Sequence, residues 1–126
     1  MVPHSTLMSD IMDEMDPRIL NLIKKHVFTF TRWDMLRFLY ENADTEDTTE
    51  NLAQRLGRTP DAIRQEAEEM TREGILKAIQ AGEYTVYGLT DDPETRQLVA
   101  SLVETAQERT FRMKLVYHIL RAGGRE

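Results

Sequence analysis

Apolar residues along the middle of the chain recur at helical spacing and then give way to a β-rich stretch. Ile63, Ala67 and Met70 are spaced four and then three apart, which puts all three on one face of a helix. Leu52, Ala53 and Leu56 do the same for a shorter helix just before it. Gly57 stands between them, where one helix must stop and the chain must turn, and glycine tolerates the left-handed backbone of such a stop. Thr59 can cap the second helix, and Pro60 fits its first turn, where no amide partner is lost. Two short helices, each with one apolar stripe, can bury those stripes only against each other and a third helix, the helix-turn-helix arrangement. Glu73-Gly74 ends the second helix. Ile75 to Gln80 then reads as a strand, Ala81-Gly82 as a tight turn, and Glu83 to Leu89 as the returning strand, because Tyr84, Thr85, Val86 and Tyr87 favour a pleated surface.

The flanks are helical too. Residues 1–15 are expected to be a flexible N-terminus with a helical turn over Ser9 to Met15. Residues 16–30 are an N-terminal helix and connector: Asp16-Pro17 is a cap and first-turn proline, Ile19, Leu20, Leu22 and Ile23 form the apolar face, and Lys24, Lys25 and His26 suit the negative end of the helix dipole. Thr31-Arg32-Trp33-Asp34 reads as a capping box for a largely buried helix carrying Met35, Leu36, Phe38, Leu39 and Tyr40. Trp33 and the aromatic residues Phe28, Phe30, Phe38 and Tyr40 are expected in the core. Glu41 to Thr49 is an acidic loop, with Asp47 or Thr48 capping the next helix. From Pro93 to Arg121 nothing breaks a helix before Gly123-Gly124, so residues 93–121 read as one long C-terminal helix of about 44 Å. Val99, Val103, Ala106, Thr110, Met113, Tyr117 and Leu120 form a seam along it, broadened by Leu98, Leu102, Phe111, Leu115, Val116 and Ile119. A helix of this length overshoots the small core beside it, which predicts a dimerisation helix buried by a second copy. Residues 122–126 are a tail.

The order helix, turn, helix, hairpin is that of a winged helix. LAQRLG at 52–57, the small capping residue Thr59, the apolar Ile63 four on, Glu73-Gly74-Ile75-Leu76 and finally Tyr87-Gly88-Leu89-Thr90 resemble the winged helix-turn-helix families of bacterial and archaeal transcriptional regulators, the ArsR, MarR and TrmB-like groups. The resemblance spans roughly residues 31–92. It implies a mainly α protein: a winged helix-turn-helix domain with a two-stranded wing, an N-terminal helix and a long C-terminal helix. It also implies a homodimeric, DNA-binding transcriptional regulator whose second motif helix enters the major groove of double-stranded DNA. On that reading Arg64 reaches guanine or phosphate, Gln65 reaches adenine, Thr59 and Arg58 contact phosphate, and Lys77 lies near the wing. The dimer interface would be Val99, Val103, Ala106, Met113, Tyr117 and Leu120.

Composition fits one globular domain of 126 residues, with 40% hydrophobic and 30% charged residues. Cysteine is absent, no apolar run reaches the ~20 residues of a membrane span, and no secretory pattern opens the chain, so a cytoplasmic protein is expected. The net charge of −6 runs against the basic excess of most small DNA-binding domains. Between Thr59 and Leu89, Arg64, Arg72 and Lys77 oppose Asp61, Glu66, Glu68, Glu69, Glu73 and Glu83, a net of −3, and the wing tip Gln80 to Glu83 has no cation. The alternative is therefore a winged-helix protein-interaction or assembly module with little or no DNA binding. Arg109, Arg112, Lys114, Arg121 and Arg125, with Lys24, Lys25 and Arg32, read either as ordinary solvated charge or as a patch for phosphate or for an acidic face such as loop 41–50 of a second subunit. His4, His26 and His118 have no partner at ligand spacing, so neither metal nor cofactor is expected. No nucleophile–base set or phosphate-cradling loop is present, and an enzyme is not expected.

Overall fold

The computed structural model describes residues 15–42 and 44–122. Among them, capping residues set most helix starts. The side chain of Asp16 accepts the Arg18 N–H at 2.8 Å and opens α1, Pro17–His26. Thr29 opens α2, Phe30–Glu41, by accepting the Arg32 N–H at 3.1 Å. The expected capping box at Thr31 is thus two residues late: Thr31 is buried inside the helix, and Asp34, instead of reaching back, is held by Arg58. Thr48 caps α3, Thr49–Leu56, and Thr59 caps α4, Pro60–Arg72. Gly57 joins them at φ 67°, ψ 38°, the left-handed stop read from the sequence. The expected turn over Ser9 to Met15 lies almost wholly outside the described residues.

The hairpin pairs β1, Leu76–Ala81, with β2, Tyr84–Leu89, antiparallel from Leu76↔Leu89 to Ala81↔Tyr84. Its two-residue turn is Gly82-Glu83, one residue later than expected, with Gly82 at φ 64°. A glycine first in a two-residue loop matches the twist of the flanking strands. An isolated bridge extends the two-stranded sheet on its β2 side. Asp47 exchanges both backbone hydrogen bonds with Tyr87, at 3.1 and 2.8 Å. The acidic loop read from the sequence is therefore tied to the wing at Asp47. Gly88 makes room for it, since a Cβ there would meet the Thr45 carbonyl oxygen at 3.1 Å.

The core is built on α2, which packs against α3, α4, β2 and α5. Met35, Leu36 and Leu39 are buried at its centre with Ile63 and Met70 of α4 and Leu52 of α3. Trp33 is buried as expected, whereas Phe28, Phe30, Phe38 and Tyr40 are only partly covered.

The single helix expected over 93–121 is two, α5, Pro93–Thr105, and α6, Arg109–Arg121. Gln107 and Glu108 turn their amides to Glu104 and Thr105, at 3.2 and 3.0 Å, which tightens the last turn of α5. The Arg112 guanidinium then donates to the Ala106 and Gln107 carbonyls, both at 3.1 Å, so carbonyls freed by the break are satisfied by a side chain. The bend re-aims the second half. Phe111, Leu115 and Ile119 turn into the chain's own core, while Met113 and Leu120 are 56% and 60% exposed. Val99, Val103 and Ala106 are buried within the single chain, which corrects their assignment to a dimer interface. One helix cannot present one seam across a break.

His118 of α6 is half-buried beside α1. One ring nitrogen bonds the Ile23 backbone, and Nε2 is buried without a hydrogen-bond partner. Burial pushes its pKa down from the ordinary 6.5; the Ile23 bond opposes this and Lys24 reinforces it. The unfolded chain therefore takes up the proton first, and stability should fall as pH drops from neutrality through 6.5 toward the depressed value. Urea denaturation across that interval should show the decline, and His118→Leu should abolish it; an unchanged profile in the variant would place the dependence elsewhere.

Candidate nucleic-acid interface

The surface that the sequence assigns to DNA is the outer face of α4 and the hairpin beside it. Positions 61, 64, 65, 68 and 72 follow one another down that face and are exposed. Thr59 lies at its start with Oγ1 engaged by the Ala62 N–H at 3.2 Å, leaving its hydroxyl hydrogen to donate. Arg64 and Gln65 both project outward. Arg58 does not: it is drawn back onto α2, its Nη2 2.7 Å from Asp34 Oδ2 and its Nε buried without a partner. Lys77 sits on β1 between two carboxylates, Asp91 at 2.9 Å and Glu46 at 3.1 Å. Hydrogen bonds to both hold its ammonium pKa above the usual value. Arg64 is likewise raised, by its bond to Asp61 at 2.6 Å, with Glu50 at 3.7 Å. The structure thus brings Thr59, Arg64 and Gln65 together and sets Arg58 and Lys77 apart, each engaged by a carboxylate.

Three of the five carboxylates on α4 and its C-cap face the other way. Glu66, Glu69 and Glu73, spaced three and four apart, form one stripe aimed at Arg32 of α2, whose side chain has no exposed surface. All five guanidinium N–H donors are used. Nε donates to Glu66 at 3.2 Å, Nη1 to Glu73 at 2.8 Å and the His26 carbonyl at 3.2 Å, and Nη2 to Glu69 at 2.9 Å and Glu73 at 3.1 Å. The Phe28 ring lies 4.2 Å from the guanidinium carbon, Thr29 donates to Glu66 at 2.7 Å, and His26 Nδ1 is 2.7 Å from Glu73. Burial alone would raise the Glu73 pKa, but hydrogen bonds from Arg32 and His26 outweigh it and hold the carboxyl below its usual range. Arg32 therefore does not belong to the basic patch that the sequence offered it to. With Glu66, Glu69 and Glu73 turned inward, the remaining charges between Thr59 and Leu89 balance: Arg64, Arg72 and Lys77 against Asp61, Glu68 and Glu83. The sequence carried one signal for this, the spacing of the three glutamates, but not the partner they meet.

No family model and no curated protein matches the chain. Among solved structures, a mutant of MepR from a multidrug-resistant S. aureus clinical isolate is similar in fold, with a TM-score of 0.56 at 19% identity over 92% of this chain and 83% of that one. MepR is a MarR-family winged-helix regulator. The fold is a winged helix. In that fold α4 stands in the position of the recognition helix, and β1–β2 is the wing. No helix among the described residues is long and apolar enough to cross a membrane.

The Arg32 clamp fixes how α4 is presented, and removing its cation should be costly. Arg32→Ala leaves three carboxylates around an empty site and should destabilise the fold by about 3–5 kcal/mol. Urea denaturation with a matched slope measures this, and a loss within about 0.5 kcal/mol of zero would reduce the clamp to an ordinary surface ion pair.

Proposed function

We propose that this protein is a DNA-binding transcriptional regulator that acts as a homodimer. The observation that carries the reading is the turning of Glu66, Glu69 and Glu73 onto Arg32, which leaves Thr59, Arg64 and Gln65 on the outer face of the recognition helix. That disposition, on a fold similar to the regulator MepR, answers the objection raised by the acidic sequence of α4. A second reading, a protein-interaction module, is favoured by one feature: Arg58, Arg64 and Lys77 each already hold a carboxylate. Phosphates would have to displace those partners, so DNA affinity should be modest and strongly salt-dependent.

Crosslinked genomic pull-down supplies the sites, and fluorescence anisotropy on the recovered duplexes supplies the affinity. Arg64→Ala should weaken binding by about 1–3 kcal/mol if the arginine reads a base, with added salt weakening every variant together. Protein partners recovered without DNA, and no duplex binding at low salt, would select the interaction module.

The half of the predicted seam on α6 supports the homodimer. Met113, Val116 and Leu120 are exposed at helical spacing beside Tyr117, an apolar stripe that a second copy of α6 can bury about a twofold axis. Met113→Glu combined with Leu120→Glu places like charges across that axis, at several kcal/mol per unpaired buried ion. Both side chains are exposed in the single chain, so the variant should still fold. Sedimentation at micromolar concentration should give a dimer for the native chain and a monomer for the variant, and a native monomer would overturn the assignment.

A further inference from the structure

We propose that acid releases α6: a proton on His118 frees the helix from α1 and lets it open about the bend at residues 106–108. His118 Nε2 is buried without a hydrogen-bond partner, and the other ring nitrogen bonds the Ile23 backbone. The neutral ring suits this seat, with one N–H donated to the Ile23 carbonyl and a bare lone pair on Nε2. A proton on Nε2 would put a charge and a donor where no acceptor stands. The surroundings carry the same sign. α6 has Arg109, Arg112, Lys114 and Arg121 and no carboxylate between its first and last residues. Lys114 and Arg121 lie about one turn to either side of His118. From α1, Lys24 is the charged group that faces the ring, and among the described residues no carboxylate does. His26, by contrast, has Glu73 at 2.7 Å, so a proton there meets a counter-ion.

α6 is also weakly anchored at its start. Among the described residues each of α1 to α5 opens on a side-chain cap, whereas Glu108 makes no such bond. The first residue of α6 is Arg109, a cation at the positive end of the helix dipole. Phe111, Leu115 and Ile119 hold the helix to the core, and the His118 ring seats it on α1. The released ring takes up a proton at its ordinary 6.5 and the docked ring resists it, so docking is strongest above 6.5 and weakens below, by up to about tenfold per pH unit. The Glu73 carboxyl is held below its usual range, so the Arg32 clamp keeps its charge through this interval. Release is therefore local. Met113, Val116 and Leu120 travel with α6, so the homodimer should come apart in the same interval, a consequence that rests on the homodimer reading.

The test is amide hydrogen exchange of the full chain at about pH 7.5 and about pH 5.5, with each rate corrected for its intrinsic pH dependence. Protection over Arg109–Arg121 should fall by up to about tenfold on acidification, with α2 and α4 changing by less than about twofold. His118→Asn keeps a donor for the Ile23 carbonyl and removes the titration, so its α6 protection should not depend on pH in this interval. Should that variant fail to fold, Lys24→Glu, at an exposed position, brings a carboxylate to the ring and should shrink the loss severalfold. Sedimentation at the two pH values reads the dimer separately: α6 released in a chain that is monomeric throughout supports the release and removes the homodimer. Equal protection of α6 at both pH values, an equal loss in α2 and α4, or an undiminished loss in the folded variant overturns the proposal.

Discussion

A single guanidinium with every donor used, Arg32, joins three helices. It donates to the carbonyl at the end of α1, stands in the first turn of α2 and gathers three carboxylates from α4 and its C-cap. An ammonium could not substitute, because Lys has three donors without the planar fork that grips Glu73 through both nitrogens. A buried ion of this kind gives little net stability against an apolar replacement, but any arrangement that separates it from its partners is heavily penalised. Its effect is to fix the rotation of α4. The helix buries Ile63, Ala67 and Met70, binds Arg32 along the neighbouring stripe, and has only its remaining face to offer a partner.

That remaining face is electrically quiet. Arg64, Arg58 and Lys77 are each within 3 Å of a carboxylate oxygen, at 2.6, 2.7 and 2.9 Å. On the proposed DNA-binding reading, phosphates would reach these cations only by displacing the carboxylates that hold them.

The bend at residues 106–108 has a comparable influence on assembly. Straight, the C-terminal segment would have carried one seam away from the domain. Bent, it buries Phe111, Leu115 and Ile119 at home and keeps a short apolar stripe outside. No glycine or proline marks the break in TAQERT. The gain is tertiary: Ala106 and Phe111, on either side of the turn, are both buried.

What the sequence determined by itself were the elements whose signals are local. Asp16-Pro17, Thr59-Pro60, Gly57 and Gly82 act through their own dihedrals and the nearest amides, so helix starts, the helix stop and the hairpin were legible, and with their order the winged-helix fold. Of the candidate interface, Thr59, Arg64 and Gln65 were legible as an outward group because helical spacing fixes their face. Only the tertiary structure decided what depends on partners distant along the chain. Arg32 and Glu73 are 41 positions apart, Asp47 and Tyr87 meet across the domain, and Arg58 turns back to Asp34. A charge in a sequence carries its sign and its helical face, but whether it meets solvent, a phosphate or a buried counter-ion is fixed by long-range packing.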